Sequence, residues 1–227
     1  MIGLIDFDSL LYNAVYKIVS VSQMREGIEL YGKKDAKEWL KKEVYNEGIN
    51  RVENELLKMQ NYLQSIFLEE ITSWELYITT CTNSFRKEIS KEYKKKRKPN
   101  SYVWMLREHY KFNDAFFSDT QEADDLIAIR AKELGKDNCI VISIDKDLKQ
   151  IGGWIWSYYK TFEKDSYGDY VINEHQKKNK IYKYDFVDFI SEKDADLFFC
   201  KQLLMGDAGD GIKGLKRVGD KTADKIL

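Results

Sequence analysis

Carboxylates dominate the residues that could do chemistry in this sequence, and they come in close groups. These are Asp6 with Asp8, Glu122 with Asp124 and Asp125, Asp145 with Asp147, and Asp207 with Asp210. Imidazole is scarce, with only His109 and His175, and the three cysteines, Cys81, Cys139 and Cys200, lie far apart. A nitrogen-rich metal centre, a serine-type triad, a thiolate zinc site and a disulfide scaffold therefore lack raw material. Clustered carboxylates repel one another, so a fold that gathers them must supply cations. Oxygen donors suit Mg²⁺ or Mn²⁺. Two such ions roughly 4 Å apart can activate a water and stabilise the leaving oxygen of an in-line phosphodiester displacement. Each group alone has a plainer reading, as a helix cap, a dipole-complementing first turn or a Gly/Asp loop. Together they point to metal-assisted hydrolysis.

Charge is balanced overall, with 37 basic and 38 acidic residues, but not evenly spread. Between Arg86 and Lys98 eight cations face only Glu88 and Glu92. This segment has a polyanion-binding character that the net charge of −1 conceals. A run of charge often makes only a solvated helix face. Here Tyr93 stands among Lys91, Lys94 and Arg97, the combination that stacks on an unpaired base while holding its phosphates. Tyr102, Trp104, Arg107 and His109 continue the pattern.

These groups need a scaffold. A chain of 227 residues, 43% hydrophobic and 14% aromatic, is expected to form one α/β domain with a small C-terminal appendage. Residues 2–5 read as a short buried strand, residues 9–19 as a helix, and 35–68 as one or two long amphipathic helices with Gly48 the candidate interruption. Residues 74–79 read as a second strand, and 86–110 as helical on both sides of Pro99. Residues 122–134 read as a helix capped by Gly135, and 139–144 as a fully buried parallel strand. Residues 154–159 and 168–172 suggest a strand pair, with helix resuming from about 193. Alternating strands and helices make a doubly wound sheet, whose ligands sit beyond the carboxyl ends of the strands, where Asp6 and Asp145 fall. The reduced cysteines, and the lack of a basic leader or an apolar run of about 18 residues, fit a soluble cytoplasmic protein with no membrane partner.

The order of these motifs resembles the flap endonuclease and 5′→3′ exonuclease superfamily of 5′ nucleases, closest to its compact bacteriophage-type members. The resemblance is carried by Ile5-Asp6-Phe7-Asp8, Phe85-Arg86 with Tyr93-Lys94 and Arg97, Glu122-Ala123-Asp124-Asp125, and Ile144-Asp145-Lys146-Asp147-Leu148. Gly206-Asp207-Ala208-Gly209-Asp210-Gly211 and the closing stretch from Gly214 to Ala223 complete it. It implies a PIN-like α/β core over residues 1–205, with a parallel central sheet flanked by helices and a helical arch over 86–117. Residues 206–227 would form a helix–three-turn–helix DNA-binding element. The resemblance also implies two Mg²⁺ or Mn²⁺ ions. Asp6, Glu122, Asp124 and Asp125 would surround the first, and Asp145, Asp147, Asp207 and Asp210 the second. Arg86 and Lys94, as catalytic cations, and Arg97 would contact phosphates, while Tyr93 would stack near the cleavage point. Gly214 and Gly219 would let backbone amides approach DNA, with Lys221 assisting and a K⁺ ion at the turn. The implied enzyme is a monomeric two-metal phosphodiesterase working beside replication proteins. It would act on 5′ flaps, nicked or gapped duplexes, or RNA-primed DNA in replication or repair.

The sequence departs from the family in two places. Relatives usually place an aspartate shortly before the Phe-Arg pair, yet no carboxylate lies between Glu75 and Glu88, and Thr80 or Cys81 is expected in its place. A weaker or more Mn²⁺-dependent first site follows. Relatives also generally continue past the second helix of the DNA-binding element, so that element is expected to be cut short at Leu227. Two other readings compete: a PIN-type ribonuclease, and a structure-specific DNA-binding protein with a weakened metal centre.

Overall fold

A computed structural model describes residues 1–18, 21–67, 70–81, 84–95, 100–158, 163–164, 170–171 and 187–227. Its centre is a six-stranded sheet of β1 (Ile2–Asp6), β2 (Ser73–Tyr77), β3 (Ala115–Phe116), β4 (Cys139–Ile142), β5 (Gly153–Trp156) and β8 (Val187–Ile190). The spatial order is β3-β2-β1-β4-β5-β8, parallel throughout except for β8, which runs antiparallel to β5. Every residue of β4 is buried, as its unbroken apolar sequence requires of a strand covered on both faces.

Alternation along β1 divides the core. Ile5 joins Phe7, Leu10 and Leu11 of α1 (Phe7–Ile18), Leu40, Val44 and Val52 of α2 (Val21–Ile66), and Leu106 of α4 (Ser101–Lys111) on one face. Leu4 joins Val141 and Ile155 with Ala123, Ile127 and Ala131 of α5 (Ala123–Leu134) on the other. Helices thus cover both faces of the sheet and leave its carboxyl end open.

The expected organisation needs two corrections. The long second helix is interrupted at Gly32, whose φ of 73° is not helical, while Gly48 lies inside regular helix. The strand at residues 170–171 does not pair with the one near 154. Instead β6 (Glu163–Lys164) and β7 (Tyr170–Val171) form a separate two-stranded ladder. β5 already has both edges filled, by β4 and β8, and has no free edge to offer.

Beyond β8, α6 (Glu192–Met205) leads into a small ladder of β9 (Gly206–Asp207) and β10 (Ile212–Lys213) and then α7 (Asp220–Ile226). Lys201 of α6 pairs with Asp224 and, at 3.6 Å, with Asp220 of α7. Between β2 and β3 lie the short α3 (Phe85–Ile89) and α4, whose N-cap Asn100 accepts from the amides of Tyr102 and Val103. Among the described residues, no helix is long and apolar enough to cross a membrane.

Candidate active site

Three strand ends and one helix start meet at the carboxyl edge of the sheet. Asp6 ends β1, and its Oδ2 accepts from the buried Ser143 hydroxyl beyond β4 at 2.6 Å. Ser143 Oγ in turn accepts from the Asp145 amide at 2.9 Å, and Asp145 Oδ1 accepts from the Asp147 amide at 2.9 Å. Asp145 is therefore the N-cap of a 3₁₀ turn at Lys146–Ile151 as well as a member of the acid group. Glu122 caps α5, and Asp125 Oδ2 accepts from the Glu122 amide at 3.0 Å. The plainer reading of these acids holds, because they shape the turns that carry them.

Cations from the basic segment reach into this edge. Arg86 forks onto Asp125 with two bonds of 2.6 Å and stands 3.6 Å from both Glu122 and Asp124. Lys94 Nζ and the Tyr93 hydroxyl both donate to Glu122 Oε2. Lys94 has a left-handed backbone (φ 48°), and its amide donates to the Asp210 carbonyl at 3.1 Å. On the opposite side Lys146 Nζ bridges Asp147 and Asp207 at 2.9 and 3.0 Å. Asp207 Oδ1 accepts from the amides of Gly209 and Asp210.

The carboxylates feel one another. Burial, then the charge of Asp8, push the Asp6 carboxyl up to about 7; Asp145 and Asp124 add to this, while the Ser143 hydrogen bond opposes it. Burial likewise raises Asp124 to about 6; the charges of Arg86 and Lys94 oppose the rise, and those of Asp125 and Glu122 add to it. Burial would raise Glu122 too, but the hydrogen bond and charge of Lys94, the charge of Arg86 and the Tyr93 hydroxyl hold it below the ordinary carboxylate value. The Lys146 hydrogen bond keeps Asp207 low.

A cleft of about 1240 Å³ opens over this edge. Arg86, Tyr93, Asp124, Asp125, Asp147, Asp207 and Asp210 line it. Among the described residues no three acid, thiol or imidazole side chains stand close enough to enclose an ion as placed. Arg86 and Lys94 stand where the first acids would otherwise meet. The donor set nevertheless fits a hard divalent cation in kind. It is built from oxygen, and Asp6 and Asp124, raised chiefly by burial, lie close enough to other acids to feel their charge.

Several expected site residues are placed differently. Tyr93 is only 6% exposed, with its hydroxyl on Glu122 and its ring beneath Arg86 and Lys94, so it is not an open stacking platform. Thr80 and Cys81 donate to the carbonyls of Ser118 and Gln121 and do not fill the place of the missing carboxylate. Asp8 reaches the end of β2 instead, its Oδ2 accepting from the Thr79 amide. A Cβ on Gly214 would fall 2.1 Å from the Met205 carbonyl oxygen, so packing against the end of α6 demands this glycine, not approach to DNA. A Cβ on Gly219, the N-cap of α7, would meet nothing within 4 Å, and Lys221 is exposed beside it. Arg97 lies outside the described residues. Ser143, Lys146 and Asp8 were missed as site residues. Only Asp8 left a signal in the sequence, its spacing from Asp6.

No family model matches the chain. It is 29% identical over 155 residues to "Flap endonuclease Xni" of Shewanella denitrificans, covering 63% of this chain and 54% of that protein. It is also 29% identical over 149 residues to "5′-3′ exonuclease" of Buchnera aphidicola subsp. Acyrthosiphon pisum, covering 62% of this chain and 47% of the relative. Over these stretches the chain is similar in sequence to both nucleases. It spans about half the length of these curated relatives. Its fold matches that of the T5 D15 protein co-crystallised with metal ions, with a TM-score of 0.53 at 15% identity over 99% of this chain and 73% of that one. A T5 5′-exonuclease with bound zinc gives a TM-score of 0.50 at 18% identity, over 76% and 65% of the two chains. The α/β core with a mostly parallel sheet flanked by helices is thus a fold shared with the T5 D15 protein.

Proposed function

We propose that the chain is a divalent-metal-dependent 5′ nuclease that hydrolyses phosphodiesters near the 5′ ends of flapped, nicked, gapped or RNA-primed DNA in replication or repair. The observation that carries this is the meeting of Asp6, Asp124 and Asp145 at one sheet edge, beneath cations from the arch segment, in a chain homologous to flap endonucleases.

Asp6, Glu122, Asp124 and Asp125 would hold a first Mg²⁺ or Mn²⁺ ion, and Asp145, Asp147, Asp207 and Asp210 a second. Such ions, when bound, activate the attacking water and neutralise charge on the leaving oxygen. Arg86 and Lys94 have another part to play. Were cations to occupy the carboxylates, the guanidinium and ammonium now paired with them would be released to hold a substrate phosphate. Tyr93 then keeps Glu122 oriented. The 206–227 element, through the open amides around Gly219 and the Lys221 ammonium, is suited to grip the duplex, with K⁺ at the turn and Arg97 adding a phosphate contact. A monomer acting in the cytoplasm with replication proteins completes the reading.

The test is cleavage of a 5′-labelled flap duplex by the protein with Mn²⁺, with Mg²⁺, and with EDTA. Metal-dependent release of the flap by the parent, lost in Asp145→Ala, supports the proposal. A folded parent that binds the flap and never cuts it would favour the binding-only reading. Cleavage confined to single-stranded RNA would favour the PIN-type ribonuclease.

A further inference from the structure

Asp8 follows Asp6 by two residues and, like Asp6, does not line the cleft. Its side chain is 15% exposed and that of its partner Arg107 is 8% exposed. Arg107 Nε donates to Asp8 Oδ1 at 2.8 Å, and the guanidinium lies over the rings of Trp104 and Tyr12 at 5.2 and 5.7 Å. The other oxygen, Oδ2, accepts from the Thr79 amide at 3.2 Å. Thr79 Oγ1 then accepts from the amide of Ala123, the first residue of α5, at 3.0 Å. A pair serving only to fill the core would satisfy its members locally. Here each link joins a different element. The chain of contacts runs from α4 through the first turn of α1 and the end of β2 to the first turn of α5. Its middle and last members flank Asp6 and Asp124.

We propose that Asp8 and Arg107 are positioning residues of the carboxylate centre. Arg107 fixes Asp8, and Asp8 fixes the Thr79 segment that seats the start of α5, so the spacing of Asp6 from Asp124 follows the placement of α4. Neither residue touches the reacting atoms. This inference rests on the proposed metal centre and adds what holds it in register with the arch. A guanidinium suits the work because its charge-assisted bond and its flat faces are used together, the bond on Asp8 and the faces on Tyr12 and Trp104.

Uptake of Mn²⁺ by the metal-free protein, followed by the electron paramagnetic resonance of the free ion, reports on this spacing without DNA or turnover. Asp8→Asn, Arg107→Met and Thr79→Val are each expected to weaken uptake roughly tenfold, as when partners that orient metal ligands are lost. Arg107→Lys, which keeps the charge but not the flat faces, restores only part of it, and the Asp8→Asn/Arg107→Met double variant is no worse than the poorer single one, because both break the same chain. Thr79→Val removes one hydroxyl and no charge, and so keeps the test decisive if the charge variants fail to fold. Uptake within twofold of the parent in folded Thr79→Val protein overturns the inference. Parent protein that takes up Mn²⁺ without cutting flaps overturns the nuclease reading alone, and the variants' uptake still decides the positioning role. Parent protein that takes up no Mn²⁺ overturns both.

Discussion

The two acid groups at the sheet edge are built from the same side chain and have been given opposite surroundings. Asp6 and Asp124 are desolvated beside like charges, and both carboxyls are raised, to about 7 and about 6. Asp207, on the more open side, is held low by the Lys146 ammonium and by the amides of Gly209 and Asp210. In the first group Arg86 and Lys94 are committed to Asp125 and Glu122, while burial and like charges keep Asp6 and Asp124 raised. In the second, Lys146 bridges Asp147 and Asp207. The lesson is that clustered acids need not make equivalent ion sites. The first group should take a divalent cation with strong pH dependence, against the competition of Arg86 and Lys94. The second should take one weakly, once Lys146 has been displaced.

The sharpest way to break this contrast is to neutralise one member of each group. Asp6→Asn should lower flap cleavage by about a thousandfold or more, on the scale of several kcal/mol lost from an ion-stabilised transition state. The same change should stabilise the metal-free protein at pH 8 by about 2 kcal/mol, since it removes a carboxylate that burial and its neighbours oppose. Asp207→Asn should do the reverse to stability, lowering the metal-free melting temperature slightly because Lys146 loses a partner. Cleavage assays and thermal melts on the same samples decide the matter, and melting shifts of the same sign in both variants would dissolve the contrast.

Arg86→Met comes next in size. It removes a cation that an incoming ion must displace from Asp125 and Asp124, so Mn²⁺ uptake should strengthen several-fold. Cleavage should nevertheless fall about a hundredfold as a charge facing the phosphate is lost. Calorimetric titration set against turnover separates the two.

Proton linkage sharpens the contrast further. Carboxyls raised on folding favour the native state below their unfolded value near 3.8, and that advantage disappears as pH climbs through about 6 to 7. Glu122 and Asp207, held low, contribute above their ordinary values and lose that contribution as pH falls. Metal-free protein should therefore resist urea best between about pH 4 and 6 and lose stability toward pH 8, with saturating Mn²⁺ abolishing the decline. The smallest effect is expected of Lys146→Met. Its ammonium is 60% exposed, so second-ion affinity should improve only a few-fold, read by Mn²⁺ titration in the presence of flap DNA.

Strands β1, β2, β4 and β5 and the helix from Glu122 to Gly135 were legible in the sequence, because apolar runs such as Cys139–Ile142 and first-turn acids after Glu122 have local causes, whereas the short β3 and the antiparallel β8 left no such signal. What escaped depends on side chains distant in sequence. Ser143 is an unremarkable hydroxyl until β1 and β4 lie side by side and aim it at Asp6. Asp8 looks like a companion of Asp6 until Arg107, 99 residues away, claims one oxygen. Tyr93 among lysines suggested a base-stacking surface, and only tertiary packing shows its hydroxyl committed to Glu122. The kink at Gly32, not Gly48, is likewise a matter of backbone angles that composition does not distinguish.

The central claim, that carboxylates from separate stretches of chain share divalent ions at one edge of the sheet, is tested most directly by anomalous diffraction from crystals grown with Mn²⁺. A strong peak among Asp6, Asp124 and Asp145, with the Arg86 guanidinium moved off Asp125, is the predicted result. An edge free of anomalous density at saturating Mn²⁺, with Arg86 still forked on Asp125, would contradict it.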